Sequence, residues 1–189
     1  MEPPVLIVPG WANSGPGHWQ SIWQEANPSW VRVEQADWEH PLLDDWLATI
    51  DRYVRACTAP PVLVGHSLGS IAIVRWAAAS SAKAAGAFLV SPTDVESDYI
   101  PAGKHFAPIP REPLRFSGLV VISDNDEYVS PDRAVQFAMN WGSTLKSIGN
   151  AGHINTASGH GEWPEGLALF RSYFCGAGSG LSSSSLPGR

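Results

Sequence analysis

Long apolar runs and clusters of positive charge are both missing from this sequence of 189 residues. No apolar stretch approaches the roughly 20 residues that a membrane-spanning helix needs, so no such helix is predicted. The 12 Lys and Arg residues are outnumbered by 18 Asp and Glu residues, which gives a formal net charge of −6. A surface of this sign, without a basic cluster, is repelled by nucleic acid and by anionic membranes. We therefore expect neither as a partner.

Cysteine is scarce as well, because the chain holds only Cys57 and Cys175, which form no C-x-x-C motif. Two lone thiols are typical of a reducing compartment and not of a disulfide framework. The first residues also lack the pattern of a signal peptide, since the acidic Glu2 precedes a short apolar segment. These observations predict a cytoplasmic location.

Metal-binding motifs are a third absence. The sequence contains no H-E-x-x-H motif, no cysteine cluster and no carboxylate-rich loop that could supply ligands. His153 and His160 lie seven positions apart, and this spacing does not suffice for a metal site. We therefore expect no metal ion.

What the sequence does contain is an alternation of short apolar segments and amphipathic ones. The apolar segments predict strands at residues 5–8, 30–34, 62–64, 87–90, 119–122 and 144–148. Helices are predicted at residues 18–25, 42–56, 71–79, 131–140 and 164–174. This alternation predicts a three-layer α/β/α sandwich around a mostly parallel sheet of about six strands.

The length favours one domain with a sizeable core, which we place at residues 1–175. Residues 176–189 are rich in Gly and Ser and are expected to form a flexible tail. Residues 92–117 contain five prolines and no periodicity, and a connection of this length is usually functional or disordered. This segment lies where a lid could cover a site, but it is too short for a separate cap domain.

A nucleophile elbow is predicted where a short apolar strand runs into Gly65-His66-Ser67-Leu68-Gly69 and a helix-forming segment follows. Strand, G-x-S-x-G and helix in this order expose the serine oxygen on a sharp turn, where it can attack a carbonyl group. The turn strains the backbone at Ser67, so its close neighbours must be small. Gly65 and Gly69 meet that demand.

Two backbone N–H groups are candidates for an oxyanion hole, which would stabilise negative charge on the attacked carbonyl oxygen. The helix after the elbow begins with unpaired N–H groups, and that of Leu68 is expected to be one of the two donors. The loop after the first strand is expected to supply the second donor. We favour the N–H of Trp11, with that of Ala12 as the alternative.

The base and the orienting acid are expected beyond the carboxyl ends of the strands, where functional groups gather in a doubly wound sheet. Asp124 and Asp126 both follow the predicted fifth strand. We favour Asp126 as the acid, because a helix start comes after it, and expect Asp124 to form the turn. His153 follows the sixth strand and is the predicted base. The order Ser, Asp, His is that of the α/β-hydrolase triad.

The other histidines fit structural roles better. His66 neighbours Ser67, but adjacent residues on such a turn point apart, so it is expected to pack in the interior. His40 and His105 occupy predicted loops without a matching partner. His160 lies near a helix start, where capping or local hydrogen bonding is the favoured role.

Together these motifs resemble the small serine hydrolases of the YdeN-like family, relatives of the retinoblastoma-binding serine hydrolase, within the α/β-hydrolase superfamily. The matching segments are Val8-Pro9-Gly10, Gly17-His18-Trp19-Gln20, Gly65-His66-Ser67-Leu68-Gly69, Ser123-Asp124-Asn125-Asp126, Gly152-His153-Ile154-Asn155, Ser158-Gly159 and Glu162-Trp163-Pro164-Glu165-Gly166. The resemblance implies a capless, cofactor-free α/β-hydrolase with Ser67, Asp126 and His153 as its triad. Glu127 departs from the family, which often has proline there. His18 either walls the pocket or bonds locally, and the local role is favoured.

The leading interpretation is a serine hydrolase that cleaves a small ester or other acyl substrate through a covalent acyl-enzyme. A non-catalytic protein-binding member of the same fold is the alternative, although the sequence indicates no particular protein partner. A dinucleotide-binding oxidoreductase is disfavoured, because the glycine spacing after the first strand is wrong and Pro16 removes an N–H group. The aromatic residues Trp11, Trp19, Phe106 and Tyr128 suggest that the pocket is small and apolar.

Overall fold

Six strands form one sheet in a computed structural model of the chain, which describes residues 2–176. The strands are β1 (Val5–Val8), β2 (Val31–Arg32), β3 (Val62–His66), β4 (Gly86–Val90), β5 (Ser117–Ile122) and β6 (Thr144–Ser147). Neighbouring strands are parallel throughout, in the order β2-β1-β3-β4-β5-β6. The predicted parallel sheet is confirmed.

Helices cover both faces of this sheet and complete the three predicted layers. They are α1 (Trp19–Ala26), α2 (Leu43–Ala56), α3 (Leu68–Ala79), α4 (Pro131–Asn140) and α5 (Pro164–Phe174). Leu63 of β3 packs in a core with residues of α2, α3 and α4, whereas Val62 and Val64 pack in a second core with residues of α1 and α5. Side chains alternate between the faces of a strand, so a strand buried on both faces is apolar throughout.

Aromatic side chains dominate the core between the sheet, α1 and α5. The rings of Trp19 and Trp23 lie 4.5 Å apart, and Trp23 stacks on Trp163 at 5.7 Å between centroids. Phe88 of β4 and Phe170 of α5 meet edge to face at 5.7 Å. Such offset and edge-on contacts are the arrangements that aromatic quadrupoles favour. Helix α1, which follows the loop that carries Trp11, is therefore fixed firmly on the sheet.

The strand predicted at residues 30–34 was too long, because β2 contains only Val31–Arg32. It lies at an edge of the sheet and pairs with β1 alone, with Leu6 opposite Val31 and Ile7 opposite Arg32. The next N–H, from Val33, still donates to the Ile7 carbonyl oxygen at 2.8 Å. The alternation of apolar residues therefore predicts a longer strand than the part that pairs at this edge of the sheet.

The proline-containing segment 92–117 packs against α3 and forms no further domain. It contains a 3-10 helix at Pro101–Phe106, and the side chain of Phe106 is fully buried. A side chain at Gly103 would contact Val95 and Leu68, at 3.0 and 3.3 Å. Apolar residues at irregular spacing thus fix a segment whose sequence shows no periodic pattern.

The predicted boundary after residue 175 stays a prediction, because residues 177–189 of the proposed tail lie outside the described part of the chain. Among residues 2–176, no helix has both the length and the apolar character to cross a membrane.

Candidate active site

Ser67 stands on a sharp turn between β3 and α3, with φ 54° and ψ −125°. A side chain on Gly65 would come within 2.8 Å of the Ser70 Cα atom, and one on Gly69 would overlap the carbonyl oxygens of Val8 and Pro9. Both glycines are therefore required by close packing on each side of the turn. The strained backbone at Ser67 agrees with the predicted elbow.

The structure brings Ser67, His153 and Asp126 into one chain of hydrogen bonds. The His153 Nε2 atom lies 2.9 Å from the Ser67 Oγ atom, and Nδ1 lies 2.9 and 3.0 Å from the two carboxylate oxygens of Asp126. The Asp126 side chain is completely enclosed, and the Tyr128 N–H also donates to it at 2.9 Å. A carboxylate on Nδ1 fixes the proton there, which leaves the Nε2 lone pair to accept the serine proton.

Asp124, the other acid candidate, is not part of this chain. Its carboxylate accepts a hydrogen bond from the Ser147 hydroxyl at 2.7 Å, and its N–H donates to the Gly149 carbonyl oxygen at 2.8 Å. Both partners belong to the end of β6 and the turn that follows it. Asp124 thus has the turn-forming contacts expected of it.

Two side-chain hydrogen-bond donors anchor the loop that carries His153. The His66 Nε2–H group donates to the carbonyl oxygen of His153, and the Trp19 Nε1–H group donates to that of Ile154, both at 2.9 Å. Two further bonds join this loop to the one before Asp126, from the Ala151 N–H to Ser123 Oγ (2.9 Å) and from the Gly152 N–H to Asn125 Oδ1 (2.8 Å). The base and the acid are therefore held relative to each other by their backbones.

The loop after β1 approaches the elbow closely enough to supply a second oxyanion donor. A Cβ atom on Gly10 would lie 3.0 Å from the Ser67 Cβ atom and 3.3 Å from the Leu68 nitrogen. The Ala12 N–H donates to the Trp38 carbonyl oxygen at 3.0 Å, so it is not free for this role. Within residues 2–176 the Trp11 N–H has no acceptor. Of the two predicted loop donors, Trp11 is the one that remains available.

A buried network of hydrogen bonds anchors the loop that follows β1. The Arg32 guanidinium donates to the Asn13 side-chain oxygen at 2.6 Å and to the Ser14 carbonyl oxygen at 3.2 Å. Gln20 accepts from the Ser14 hydroxyl at 2.7 Å and donates to the carbonyl oxygen of Val64 at 3.0 Å. The loop is thereby connected to both β2 and β3, which limits how far its backbone N–H groups can move.

A cavity of about 330 Å³ opens in front of Ser67. Its lining consists of Trp11, Asn13, Gly15, His18, His66, Ser67, Ile100, Tyr128, His153, Asn155, Thr156 and Ala157. The cavity is small, but polar groups line much of it, so the predicted apolar pocket was only partly right. Trp11 and Tyr128 form its walls, whereas Trp19 and Phe106 are fully buried in the two cores. No carboxylate or permanently cationic side chain is among these lining residues.

His18 both caps α1 and lines the cavity. Its Nδ1 atom accepts the N–H of Gln20 at 3.2 Å, which is the local role favoured from the sequence. Burial, followed by the nearby Arg32 guanidinium, lowers the pKa of His18 to about 3. Burial also lowers the pKa of His66 well below its usual value, with His18 beside it adding to the effect. Both imidazoles are therefore neutral near pH 7.

The remaining histidines lie apart from Ser67. His160 bonds to the Ser158 hydroxyl at 3.1 Å and packs edge-on against Trp163, in agreement with the local bonding predicted for it. His40 is exposed beside Asp37, and His105 is exposed on the 3-10 helix.

Thr93 is a candidate functional residue that the sequence reasoning missed. Its Oγ1 atom lies 3.0 Å from the Ser67 Oγ atom, and the residue is fully buried. It follows the carboxyl end of β4, so the rule that located Asp126 and His153 also applied here. Threonine belongs to no recognisable catalytic motif at this position, and the sequence offered no other signal.

Comparisons with known proteins agree with this geometry. Residues 5–172 match the serine hydrolase family. The chain is 35% identical to a protein described as a YdeN-like hydrolase from Pectobacterium atrosepticum, with a TM-score of 0.81 over 90% of this chain and 89% of that one. No curated protein shows significant similarity.

Two more distant structures share the fold. The ydeN gene product of B. subtilis is 23% identical, with a TM-score of 0.73 over 92% of this chain and 100% of that one. Est1E of Butyrivibrio proteoclasticus, solved with ferulic acid bound, is 16% identical, with a TM-score of 0.69 over 92% and 89%. Identities this low show the fold alone. The family match and the similarity to the Pectobacterium protein show more: this chain is a hydrolase that belongs to the serine hydrolase family of the α/β-hydrolase superfamily.

Proposed function

We propose that this hydrolase cleaves a small ester or related acyl substrate through an acyl-enzyme formed on Ser67. The observation that carries the proposal is the hydrogen-bonded chain from Ser67 through His153 to the enclosed carboxylate of Asp126. The Ser67 end of these hydrogen bonds faces a cavity that is large enough for a small molecule. No protein partner is needed to complete it.

In the first half of the proposed reaction, the Ser67 oxygen attacks the carbonyl carbon while His153 Nε2 takes the serine proton. Asp126 stabilises the resulting imidazolium. The N–H groups of Leu68 and Trp11 donate to the carbonyl oxygen as it becomes negative. The bond to the leaving group then breaks, and His153 returns the proton to that group. The acyl group remains bonded to Ser67.

In the second half, water attacks the acyl carbon and gives a proton to His153. The bond between that carbon and the Ser67 oxygen breaks, and the proton passes from His153 to the serine. The acid product leaves and the enzyme is restored. The same base and the same two N–H donors therefore serve both halves.

The lining of the cavity favours an uncharged acyl group. No lining residue carries a carboxylate or a permanent positive charge, and His18 is held neutral. A charged acyl group would lose its hydration there without gaining an opposite charge. We therefore expect short neutral esters to be cleaved faster than long-chain or charged ones.

Labelling with a fluorophosphonate, followed by peptide mass spectrometry, tests the proposal. We expect modification of Ser67 in the folded wild-type protein and none in Ser67→Ala. Asp126→Asn should lower kcat by about 10⁴-fold, because the imidazole loses its orienting acceptor. Asp124→Asn is the matched control and should stay within twofold. A folded wild-type protein that is neither labelled nor active on any ester would overturn the proposal and favour a binding protein.

A further inference from the structure

The hydroxyl group of Thr93 has one partner among the described residues, and that partner is the oxygen of Ser67. The two oxygen atoms are 3.0 Å apart, and Thr93 is fully buried. A buried hydroxyl without a partner is costly, so this contact decides where the threonine proton points. The same oxygen also lies 2.9 Å from His153 Nε2.

The direction of the Thr93 bond follows from the protons of its neighbours. Asp126 lies against His153 Nδ1, so that nitrogen carries the proton and Nε2 is an acceptor. The single proton of Ser67 is therefore donated to His153. Thr93 must then donate to the lone pair of the Ser67 oxygen. When His153 becomes an imidazolium in the proposed reaction, Ser67 has given up its proton, so His153 and Thr93 both donate to the serine oxygen.

Thr93 is also held in this position by its backbone. It comes two residues after Ser91, which adopts φ 43° and whose N–H donates to the Val121 carbonyl oxygen at 2.9 Å. On its other side, the Asp94 N–H donates to the Tyr128 carbonyl oxygen at 3.1 Å. The threonine is thus fixed between the end of β4 and the loop that follows Asp126.

We propose that Thr93 is a further catalytic residue, whose hydroxyl proton stabilises negative charge on the Ser67 oxygen. This inference rests on the proposed acyl-enzyme. Charge develops on this oxygen as the serine loses its proton in the first half of the reaction. It develops again in the second half, when the bond from the oxygen to the acyl carbon breaks. A fixed donor therefore assists both steps, which distinguishes Thr93 from the oxyanion donors that act on the carbonyl oxygen.

Thr93→Val and Thr93→Ser separate the hydroxyl from the shape of the side chain. Valine keeps the shape and removes the donor, so we expect both the acylation rate and the deacylation rate to fall about tenfold to a hundredfold. Serine keeps the donor and loses a methyl group, and it should restore most of the activity. The two rates are measured in pre-steady-state bursts with a nitrophenyl ester, and folding is checked by thermal unfolding.

The variants also distinguish a catalytic role from a packing role. If Thr93 only filled space, the serine variant would be the more damaged of the two and Thr93→Val would react at the wild-type rate. That result would overturn the inference while Ser67→Ala remained inactive, so the proposed function would stand. A wild-type protein without an acylation burst or labelling of Ser67 would overturn both.

Discussion

Three imidazole rings meet beside Ser67, but only one has a carboxylate partner. The ring of His66 lies 4.7 Å from that of His18 and 4.9 Å from that of His153. His18 accepts a backbone N–H, and His66 donates to a backbone carbonyl oxygen. Neither contact stabilises a positive charge on its ring as the Asp126 carboxylate does on His153. The positive charge of the proposed reaction therefore has one place to form.

Neutral buried histidines make the stability of the fold depend on pH. The pKa of His18 is about 3 in the folded protein and near its ordinary value of 6.5 in the unfolded chain. Between these values the unfolded state binds a proton that the folded state does not. The free energy of unfolding therefore falls as the pH falls below 6.5, by about 1.4 kcal/mol per pH unit for one such group.

His18→Asn should make the free energy of unfolding less sensitive to pH, by about 1.4 kcal/mol per pH unit between pH 6 and pH 4. Asparagine is a favourable N-cap, so the start of α1 is retained while the titrating group is lost. Urea unfolding at several pH values measures the slope. His40→Asn, at an exposed position, is the control and should leave it nearly unchanged. Parallel curves for wild type and His18→Asn would contradict the prediction.

The stability of the elbow, which consists of β3, the turn at Ser67 and α3, depends on its close packing against the end of β1. Gly69 faces the carbonyl oxygens of Val8 and Pro9 so closely that no side chain fits between them. Alanine there would gain about 1 kcal/mol of helix propensity. The overlap is with backbone atoms that cannot rotate away, and we expect it to cost about 3 kcal/mol. The steric effect therefore exceeds the gain in propensity.

Gly69→Ala should lower the free energy of unfolding by about 2 kcal/mol net, measured by urea denaturation. The displaced elbow should also reduce the rate of fluorophosphonate labelling. Gly15→Ala is the matched control, because a side chain at Gly15 would have no atom within 4 Å. It should leave the free energy of unfolding within about 0.5 kcal/mol of the wild-type value. Equal stability of the two variants would show that the elbow tolerates displacement from β1.

Strands and helices with strong local patterns were predictable, and the departures have physical causes. The bounds of β1, α4 and α5 agree with the sequence prediction, because two buried faces or a proline at the helix start define them. Helix α3 begins at Leu68, directly after Ser67, and not at residue 71. The glycine and serine in its first turn have low helix propensity, and the elbow geometry overrides it.

Seen over the full chain, the positions of Ser67, Asp126 and His153 could be predicted because strand ends converge at one edge of a parallel sheet. The character of the cavity could not. Phe106 and Trp19 are large aromatic residues of the kind that often line pockets. Tertiary packing instead places them in the two cores on opposite faces of the sheet. The choice between the Trp11 and Ala12 N–H groups likewise depends on the carbonyl oxygen of Trp38, which accepts the Ala12 N–H. Contacts this distant in sequence leave no local signal.

The predicted domain boundary leads to a truncation experiment. A chain that ends at residue 176 retains both cores and every proposed site residue. We expect its thermal midpoint to stay within about 3 °C of the wild-type value and its esterase activity within twofold. A chain that ends at residue 163 is the comparison, because it loses α5 and the fully buried Phe170, and it should not fold stably. A large loss of stability on removal of residues 177–189 alone would contradict the predicted boundary.

The two bonds that His66 and Trp19 make to the backbone of the His153 loop have a consequence for the timing of the reaction. A base that is ordered before substrate arrives loses its conformational entropy once, when the chain folds, and not in each catalytic cycle. In the proposed reaction we therefore expect that this loop does not have to close before the serine proton is transferred. We therefore expect the acylation step of the proposed reaction to be insensitive to solvent viscosity, which stopped-flow measurements in sucrose would test.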